Sequence, residues 1–245
     1  IGNQFEILML IEMLELNGIH CVSANTDGIV CLFPKEKDDV YYKTCHEWEE
    51  IVGNTKLGKL EYTDFKALYQ ESVNCYVAVK TDGKAKIKGR LDYESELNKN
   101  NTKDLGRVER KAISEYFSKN IPIEETIMNE KNIFMFCIGL KSSSNYFFKT
   151  VHPKTAIETE YKKVIRFFIS DDGERLLKIK AKDADTDGPD ISRISKTSLV
   201  TMFNDKFDVQ SFEEYNINYS FYIEKAKEIV EQIESARKNK KFVKA

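Results

Sequence analysis

The first 33 residues change from a helical to an extended pattern of apolar positions. Apolar residues recur at helical spacing over residues 3–17, and Gly18 follows where a left-handed residue can end the helix. Two apolar runs, residues 19–24 and 29–33, then flank the tetrapeptide Asn-Thr-Asp-Gly at 25–28. Because Asn, Asp and Gly favour tight turns, the pattern predicts a β-hairpin with this tetrapeptide at its tip.

The rest of the chain mixes both patterns. Residues 36–52 predict an amphipathic helix, and strands are predicted at 60–68, 72–79 and 85–89. A polar stretch over 94–103 marks a boundary between two units, residues 1–93 and 94–245. In the second unit the pattern predicts helices at 107–118, 123–128 and 219–237, strands at 134–140 and 146–151, and a hairpin of 161–169 with 175–179. The predicted fold class is α+β.

Charge is distributed unevenly along the chain. The net charge of -2 comes from 38 Lys and Arg against 40 Asp and Glu. Residues 1–79 contain six basic and 13 acidic residues, a net charge of -7, which leaves +5 on the remainder. An enzyme that acts on nucleic acid can have this arrangement, with metal-binding acids in one part and phosphate-binding bases in another. Uneven surface charge is also common in other proteins.

Several classes of protein are disfavoured by the sequence. No apolar run approaches the ~20 residues of a membrane-spanning helix. The chain starts without a basic-then-apolar leader, so we expect no secretion and a cytoplasmic location. The five cysteines, at 21, 31, 45, 75 and 137, form no CxxC pair, which indicates reduced thiols rather than a zinc site or a disulfide framework.

Asp27 is the first candidate for chemistry. A carboxylate at the tip of a hairpin between two apolar strands is held rigidly and still faces a cleft or solvent. Mg²⁺ needs such a ligand, because it demands near-octahedral oxygen geometry and takes only a few protein carboxylates. The pattern by itself also fits an ordinary turn, since Asn, Asp and Gly dominate turns for conformational reasons.

The sequence from Ser23 to Val30, Ser-Ala-Asn-Thr-Asp-Gly-Ile-Val, preceded by its apolar helix, resembles the palm motif of family B DNA polymerases. That family usually has Asp-Thr-Asp-Ser at this turn, and phage-type members can have Asn-Thr-Asp-Gly. The resemblance implies that Asp27 is a catalytic Mg²⁺ ligand. Asn25 stands where the family usually has its first Asp, so its role as a second ligand is weaker.

A lysine-rich strand forms the second candidate site. Lys84, Lys86 and Lys88 alternate and should project from one face of a strand, and Gly89 would let another backbone approach closely. Residues 76–90, which end in Arg90, resemble the basic strands that join palm to thumb in the same family and contact the primer. The resemblance therefore implies DNA binding by these five residues. An edge strand protected by lysines is the alternative.

The resemblance extends to the end of the chain, because residues 161–169 and 217–234 are similar to the thumb of phage-type members. It implies the C-terminal part of a palm at 1–93 and a mainly helical thumb at 94–245. The implied activity is DNA-directed DNA synthesis, in which Mg²⁺ assists attack of a primer 3′-hydroxyl on a dNTP, with primer–template DNA as partner.

The other metal-binding Asp and the triphosphate-binding Lys of the family would lie N-terminal to Ile1. We therefore expect the missing N-terminal part of the polymerase to be a partner, and the chain alone to be inactive. A non-catalytic DNA-binding module with the same shape is one alternative. A nucleotidyl cyclase or another palm-type enzyme is a second alternative, although it would not need the basic residues of the second half.

Overall fold

The structure is a computed structural model that describes residues 2–26, 28–53, 59–94, 106–182, 187–194, 198–204 and 212–239. Its helices in these residues are α1 (Gly2–Leu16), α2 (Asp38–Val52), α3 (Arg107–Lys119), α4 (Ile123–Asn129), α5 (Ile133–Phe136) and α6 (Tyr219–Asn239). None of them combines the length and the apolar composition that crossing a bilayer requires.

The strands in the same residues are β1 (His20–Asn25), β2 (Gly28–Leu32), β3 (Phe65–Ser72), β4 (Cys75–Lys80), β5 (Ala85–Lys88), β6 (Ile138–Lys141), β7 (Tyr146–Val151), β8 (Glu158–Tyr161), β9 (Val164–Ser170), β10 (Arg175–Lys180), β11 (Ile191–Arg193) and β12 (Leu199–Met202). They pair antiparallel in four sheets, with the orders β1-β2, β3-β4-β5, β11-β10-β7-β8 and β12-β9-β6. The predicted α+β class is confirmed.

The first core lies between α1, α2 and the β1–β2 hairpin. Its buried apolar side chains are Leu10, Leu14, Ile19, Cys45 and Trp48. The Trp48 indole donates a hydrogen bond of 2.8 Å to the carbonyl oxygen of Glu6, which ties α2 to α1. Gly18 ends the first helix with a φ of +70°, as the sequence predicts. The hairpin therefore leaves α1 in a fixed direction.

A larger core extends from the β3–β4–β5 sheet to α6. Val77 of β4 and Leu91, which follows β5, share this core with Ala112 of α3 and Ala226 of α6. Residues from both sides of the expected boundary at 93 and 94 therefore pack together. The assignment of units at 1–93 and 94–245 stays a prediction, and the buried residues divide earlier in the chain, between α2 and β3.

The part of the chain after residue 94 is mixed rather than mainly helical, because the structure describes strands β6 to β12 there beside helices α3 to α6. The predicted hairpin of 161–169 with 175–179 is wrong. Strand β9 pairs with β6 and β12, whereas β10 pairs with β7 and β11. Strands β6 and β12 occupy the two edges of β9, and Glu174, just before β10, forms a bridge with Val200 on β12.

The predicted strand at 134–140 is also partly wrong. Its first half is the short helix α5, and only β6 is extended. The Asn132 side chain accepts a hydrogen bond of 3.0 Å from the backbone N–H of Phe134. An Asn that caps a helix start in this way favours a helical turn over a strand, despite the apolar residues that follow.

Candidate metal and nucleic-acid site at the hairpin tip

The β1–β2 hairpin ends in a two-residue connection. Asn25 pairs with Gly28 as the last pair of the ladder, so Thr26 and Asp27 join the two strands. Asp27 lies outside the described residues. The hairpin itself, predicted from the sequence, is confirmed on both sides of this position. A register shift between Cys21 and Ser23 marks a β-bulge, which increases the local twist of the hairpin.

The base of the hairpin is fastened to the end of α1. One carboxylate oxygen of Glu15 accepts a hydrogen bond of 2.7 Å from the backbone N–H of Cys21. The other oxygen lies 3.2 Å from Nδ1 of His20. The neighbouring Ile19 side chain is fully buried. These contacts fix where the hairpin emerges, and hence where its tip lies.

The outer part of the hairpin contacts the three-stranded sheet. The Gln70 side-chain amide on β3 donates a hydrogen bond of 2.9 Å to Oγ of Ser23 on β1. Closer to the tip, Nδ2 of Asn25 lies 3.5 Å from Oδ1 of Asn74, which is in the turn between β3 and β4. Both partners are more than 40 residues away in sequence. The hairpin tip therefore lies beside the β3–β4 turn.

Gly89 also lies against this turn, through its backbone. It follows β5 with a φ of +70°, and a Cβ added to it would lie 2.9 Å from Cα of Cys75 and closer still to the carbonyl oxygen of Asn74. Only glycine allows this approach, as the sequence predicts. Asn25 and Gly89 belong to two separate motifs, and the structure brings both of them to Asn74. Sequence reasoning missed Asn74, although a polar residue inside the run 72–79 was a signal for a turn.

The predicted row of lysines lies partly on β5. This strand is at the edge of its sheet in the described part of the chain. Lys86 and Lys88 are exposed, and Ile87 between them packs against the larger core. The two lysines therefore project from the face opposite to that core. Lys84 precedes the strand, and its ammonium group lies 3.9 Å from a carboxylate oxygen of Asp82.

The face that carries these two lysines continues towards the hairpin. Lys88 pairs with Tyr76 on β4, and Tyr76 pairs with Gln70 on β3. Gln70 in turn contacts Ser23 of the hairpin. One sheet face thus leads from the exposed ammonium groups of β5, through Tyr76, to the base of the Asn25 and Asp27 turn.

Arg90 is engaged differently from the lysines. Its guanidinium donates through Nε (2.8 Å) and through Nη2 to the two carboxylate oxygens of Glu71 on β3. This ion pair holds the pKa of the Glu71 carboxyl group below its ordinary value. The Cys75 thiol also donates to Glu71, at 3.0 Å. Arg90 therefore fastens the end of β5 to β3, and its predicted contact with DNA stays a prediction.

The oxygen donors proposed for Mg²⁺ are the carboxylate of Asp27 and the amide of Asn25. Among the residues that the structure describes, no three His, Cys, Asp or Glu side chains are grouped as a metal site. Mg²⁺ keeps several of its waters and uses one or two carboxylates in many phosphoryl-transfer enzymes. The hairpin tip therefore fits a partial site, which further oxygens would complete.

Comparisons with known proteins give no family for this chain. It matches no protein-family model, and no curated protein sequence matches it. The function proposed for the chain therefore rests on its own residues and contacts.

Proposed function

We propose that this chain supplies part of the palm and the thumb of a DNA-directed DNA polymerase of the family B type. The observation that carries the proposal is the meeting of two motifs at Asn74. Asn25, two residues before the proposed metal ligand Asp27, contacts the Asn74 side chain, and Gly89, at the end of the lysine-rich strand, lies against the Asn74 carbonyl oxygen. A polymerase requires this proximity, because the metal acts at the primer end that the basic strand would hold.

The residues of this chain would act mainly by position and charge. Lys86 and Lys88 would bind phosphates of one DNA strand. Alternate residues of a β-strand lie about 6.6 Å apart, so each ammonium group could reach a different phosphate. Asn74 would orient the Asn25 amide, and Gly89 would let the end of β5 pack closely against the β3–β4 turn. Mg²⁺ bound at Asp27 would activate the primer hydroxyl and stabilise charge on the dNTP phosphates. The remaining catalytic groups of such a polymerase would have to come from residues outside this chain.

A non-catalytic DNA-binding module is the alternative that a specific observation favours. Lys86 and Lys88 are exposed on an edge strand and need no metal to bind phosphates. Such a module would not require a cation at Asp27. Metal binding at the hairpin tip therefore distinguishes the two functions.

Mn²⁺ is a suitable probe for the proposed site, because it replaces Mg²⁺ at oxygen ligands and broadens nearby NMR signals. In the wild-type chain, we expect Mn²⁺ to broaden the amide signals of Asn25 and Gly28 selectively. Asp27→Asn should remove this effect without changing the fold. Asp82→Asn is the matched control, because Thr-Asp-Gly occurs there in another tight turn.

Loss of the broadening in Asp27→Asn and its retention in Asp82→Asn would support the polymerase. Selective broadening that persists in Asp27→Asn would remove Asp27 as a ligand and leave the DNA-binding module. Equal broadening at both turns would show only non-specific attraction of the cation to carboxylates.

A further inference from the structure

Two cysteines face each other across the β1–β2 hairpin. Cys21 pairs directly with Cys31 in the antiparallel ladder, and their sulfur atoms are 3.6 Å apart. Both side chains are half-buried, so small molecules can reach them. The other three cysteines differ from this pair: Cys45 is buried, Cys75 donates to Glu71, and the surroundings of Cys137 raise the pKa of its thiol to about 12 through burial.

Direct pairing in the ladder is compatible with a disulfide between these two residues. Directly opposed residues of an antiparallel ladder have Cα atoms about 4.5–5.5 Å apart, inside the range of about 4.4–6.8 Å that disulfides use. The sulfur atoms need to approach from 3.6 Å to the bond length of about 2.05 Å. Rotation of the side chains supplies this change, so the hairpin does not need to open.

We propose that Cys21 and Cys31 form a reversible dithiol–disulfide site that is oxidised by small-molecule disulfides of the glutathione class. The site lies on the hairpin whose tip carries Asp27, with Cys21 on one strand and Cys31 on the other. The inference does not depend on the proposed polymerase function, because it uses only the geometry of this pair.

The chemistry proceeds by two thiol–disulfide exchanges. Cys21 loses its proton to solvent, and its thiolate attacks one sulfur of oxidised glutathione; the S–S bond breaks and a glutathione thiolate leaves. Cys31 then loses its proton and attacks the Cys21 sulfur, which releases a second glutathione thiolate, and both leaving groups take up a proton. The two cysteines are oxidised to one disulfide, and one oxidised glutathione is reduced to two thiols.

The order of the two steps follows from the hydrogen bond between the thiols. Either thiol can donate in this contact. When Cys31 donates, the hydrogen bond lowers the pKa of Cys21 from its ordinary value, and together with burial it raises the pKa of Cys31. Because the thiolate is the nucleophile, Cys21 attacks first and Cys31 resolves the mixed disulfide. The new bond would close residues 21–31 into a ring that contains the whole hairpin turn.

The test uses the reduced full chain and oxidised glutathione. We expect a mass loss of about 2 Da, because two hydrogen atoms leave when a disulfide forms. Cleavage on the N-terminal side of Asp27 separates the two cysteines, so the disulfide should hold the resulting fragments together until a reductant is added. Each single variant, Cys21→Ser or Cys31→Ser, keeps one thiol of the pair and should instead gain about 305 Da, the mass of one glutathione adduct. Cys137→Ser is the control and should still lose about 2 Da.

Three results would overturn the proposal. The wild-type chain could gain two glutathione adducts in place of the internal bond. The disulfide that links the fragments could involve a cysteine other than Cys21 or Cys31. Finally, a loss of about 2 Da in Cys21→Ser would show that a different pair had reacted.

Discussion

Glu109 lies in the first turn of α3, and its carboxyl group is fully buried. Burial disfavours the charged form and raises the pKa of Glu109 from 4.5 to about 7. The start of the helix and the cations of Lys225 and Arg110 oppose this shift only partly. The buried Tyr222 hydroxyl faces the same region, and the nearby carboxylate contributes to the raised pKa of this tyrosine. The stability of the larger core should therefore depend on whether Glu109 is protonated.

The sign of this effect follows from proton binding. Between pH 4.5 and 7 the folded chain binds the Glu109 proton more tightly than the unfolded chain, so stability falls as pH rises through this window. The loss by pH 8 is on the order of 3 kcal/mol. Glu109→Gln removes this titration and should give a flatter free energy of unfolding in urea from pH 5 to pH 8.

Glu124→Gln is the control for this prediction. The ammonium group of Lys227 holds the pKa of Glu124 below its ordinary value, so its contribution is lost only as the pH falls through acidic values. The control should therefore keep the wild-type dependence above pH 5. If Glu109→Gln also keeps it, the carboxyl group of Glu109 is not the source of the pH dependence.

Gly89 supports the candidate site through its backbone. Gly89→Ala places a methyl group against Asn74 and Cys75 at a φ of +70°, whereas Gly83→Ala has a φ of +84° and an open surrounding. Both variants meet the cost of the left-handed conformation, about 1 kcal/mol, and only Gly89→Ala adds a backbone overlap of about 1–3 kcal/mol. Denaturant unfolding of the two variants separates these terms. Equal losses of stability would mean that the end of β5 does not pack tightly against the β3–β4 turn.

At the scale of single elements, local signals predicted helices and the β1–β2 hairpin well. Helices α1, α2, α3, α4 and α6 match the predicted segments closely, because helical periodicity and end signals lie within each segment. Which strand a given strand pairs with depends on residues elsewhere in the chain, so its own sequence does not predict the pairing. Strands β9 and β10 follow each other closely, yet they pair with β12 and β7, which are distant in sequence.

For the candidate site, too, the sequence predicted the local motifs but not the contacts between them. Asn25, Asp27 and the lysines were found as local motifs, and so was the need for glycine at position 89. The contact of Asn25 with Asn74 joins two turns that are 49 residues apart, and no local pattern contains it. The Arg90 ion pair with Glu71 also joins residues that are separate in sequence. The sequence therefore suggested an Arg90 guanidinium available to DNA, whereas in the structure it is paired with a carboxylate.

The lysines of β5 give a prediction about the strand as a DNA-binding element. Binding of primer–template DNA should weaken steeply with salt, because each neutralised phosphate of a duplex adds about 0.9 to the slope of log K against log salt. Replacing Lys86 and Lys88 together by alanine should flatten that slope by about one to two units without altering sequence preference. Fluorescence anisotropy at several salt concentrations measures it.

The matched control removes the same charge elsewhere. Lys35 and Lys43 are exposed and lie before and within α2, in elements that are not part of the β3–β4–β5 sheet. The Lys35→Ala and Lys43→Ala double variant should keep the wild-type slope. Equal slopes for the β5 variant and the wild type would assign Lys86 and Lys88 to protection of an edge strand.

At the scale of the whole molecule, the candidate site lies where the two cores meet. The hairpin belongs to the smaller core, and the β3–β4–β5 sheet belongs to the larger one. Among the residues that the structure describes, the side-chain contacts that join them near the site include Gln70 with Ser23 and Asn25 with Asn74. Because local opening costs less where little apolar area is buried, the amides of α1 and α2 should exchange with deuterium before those of α3 and α6.

Gln70 tests how the two cores are coupled. Gln70→Ala removes the hydrogen bond to Ser23, worth about 1 kcal/mol, and leaves the larger core intact. Exchange should therefore become several-fold faster in β1 and β2 and stay unchanged in α3, because only the hairpin loses an attachment. Gln232→Ala, at an exposed position of α6, is the matched control and should change neither region. Faster exchange in α3 would show that the cores open together, and unchanged exchange in the hairpin would show that the Gln70 hydrogen bond does not hold the hairpin in place.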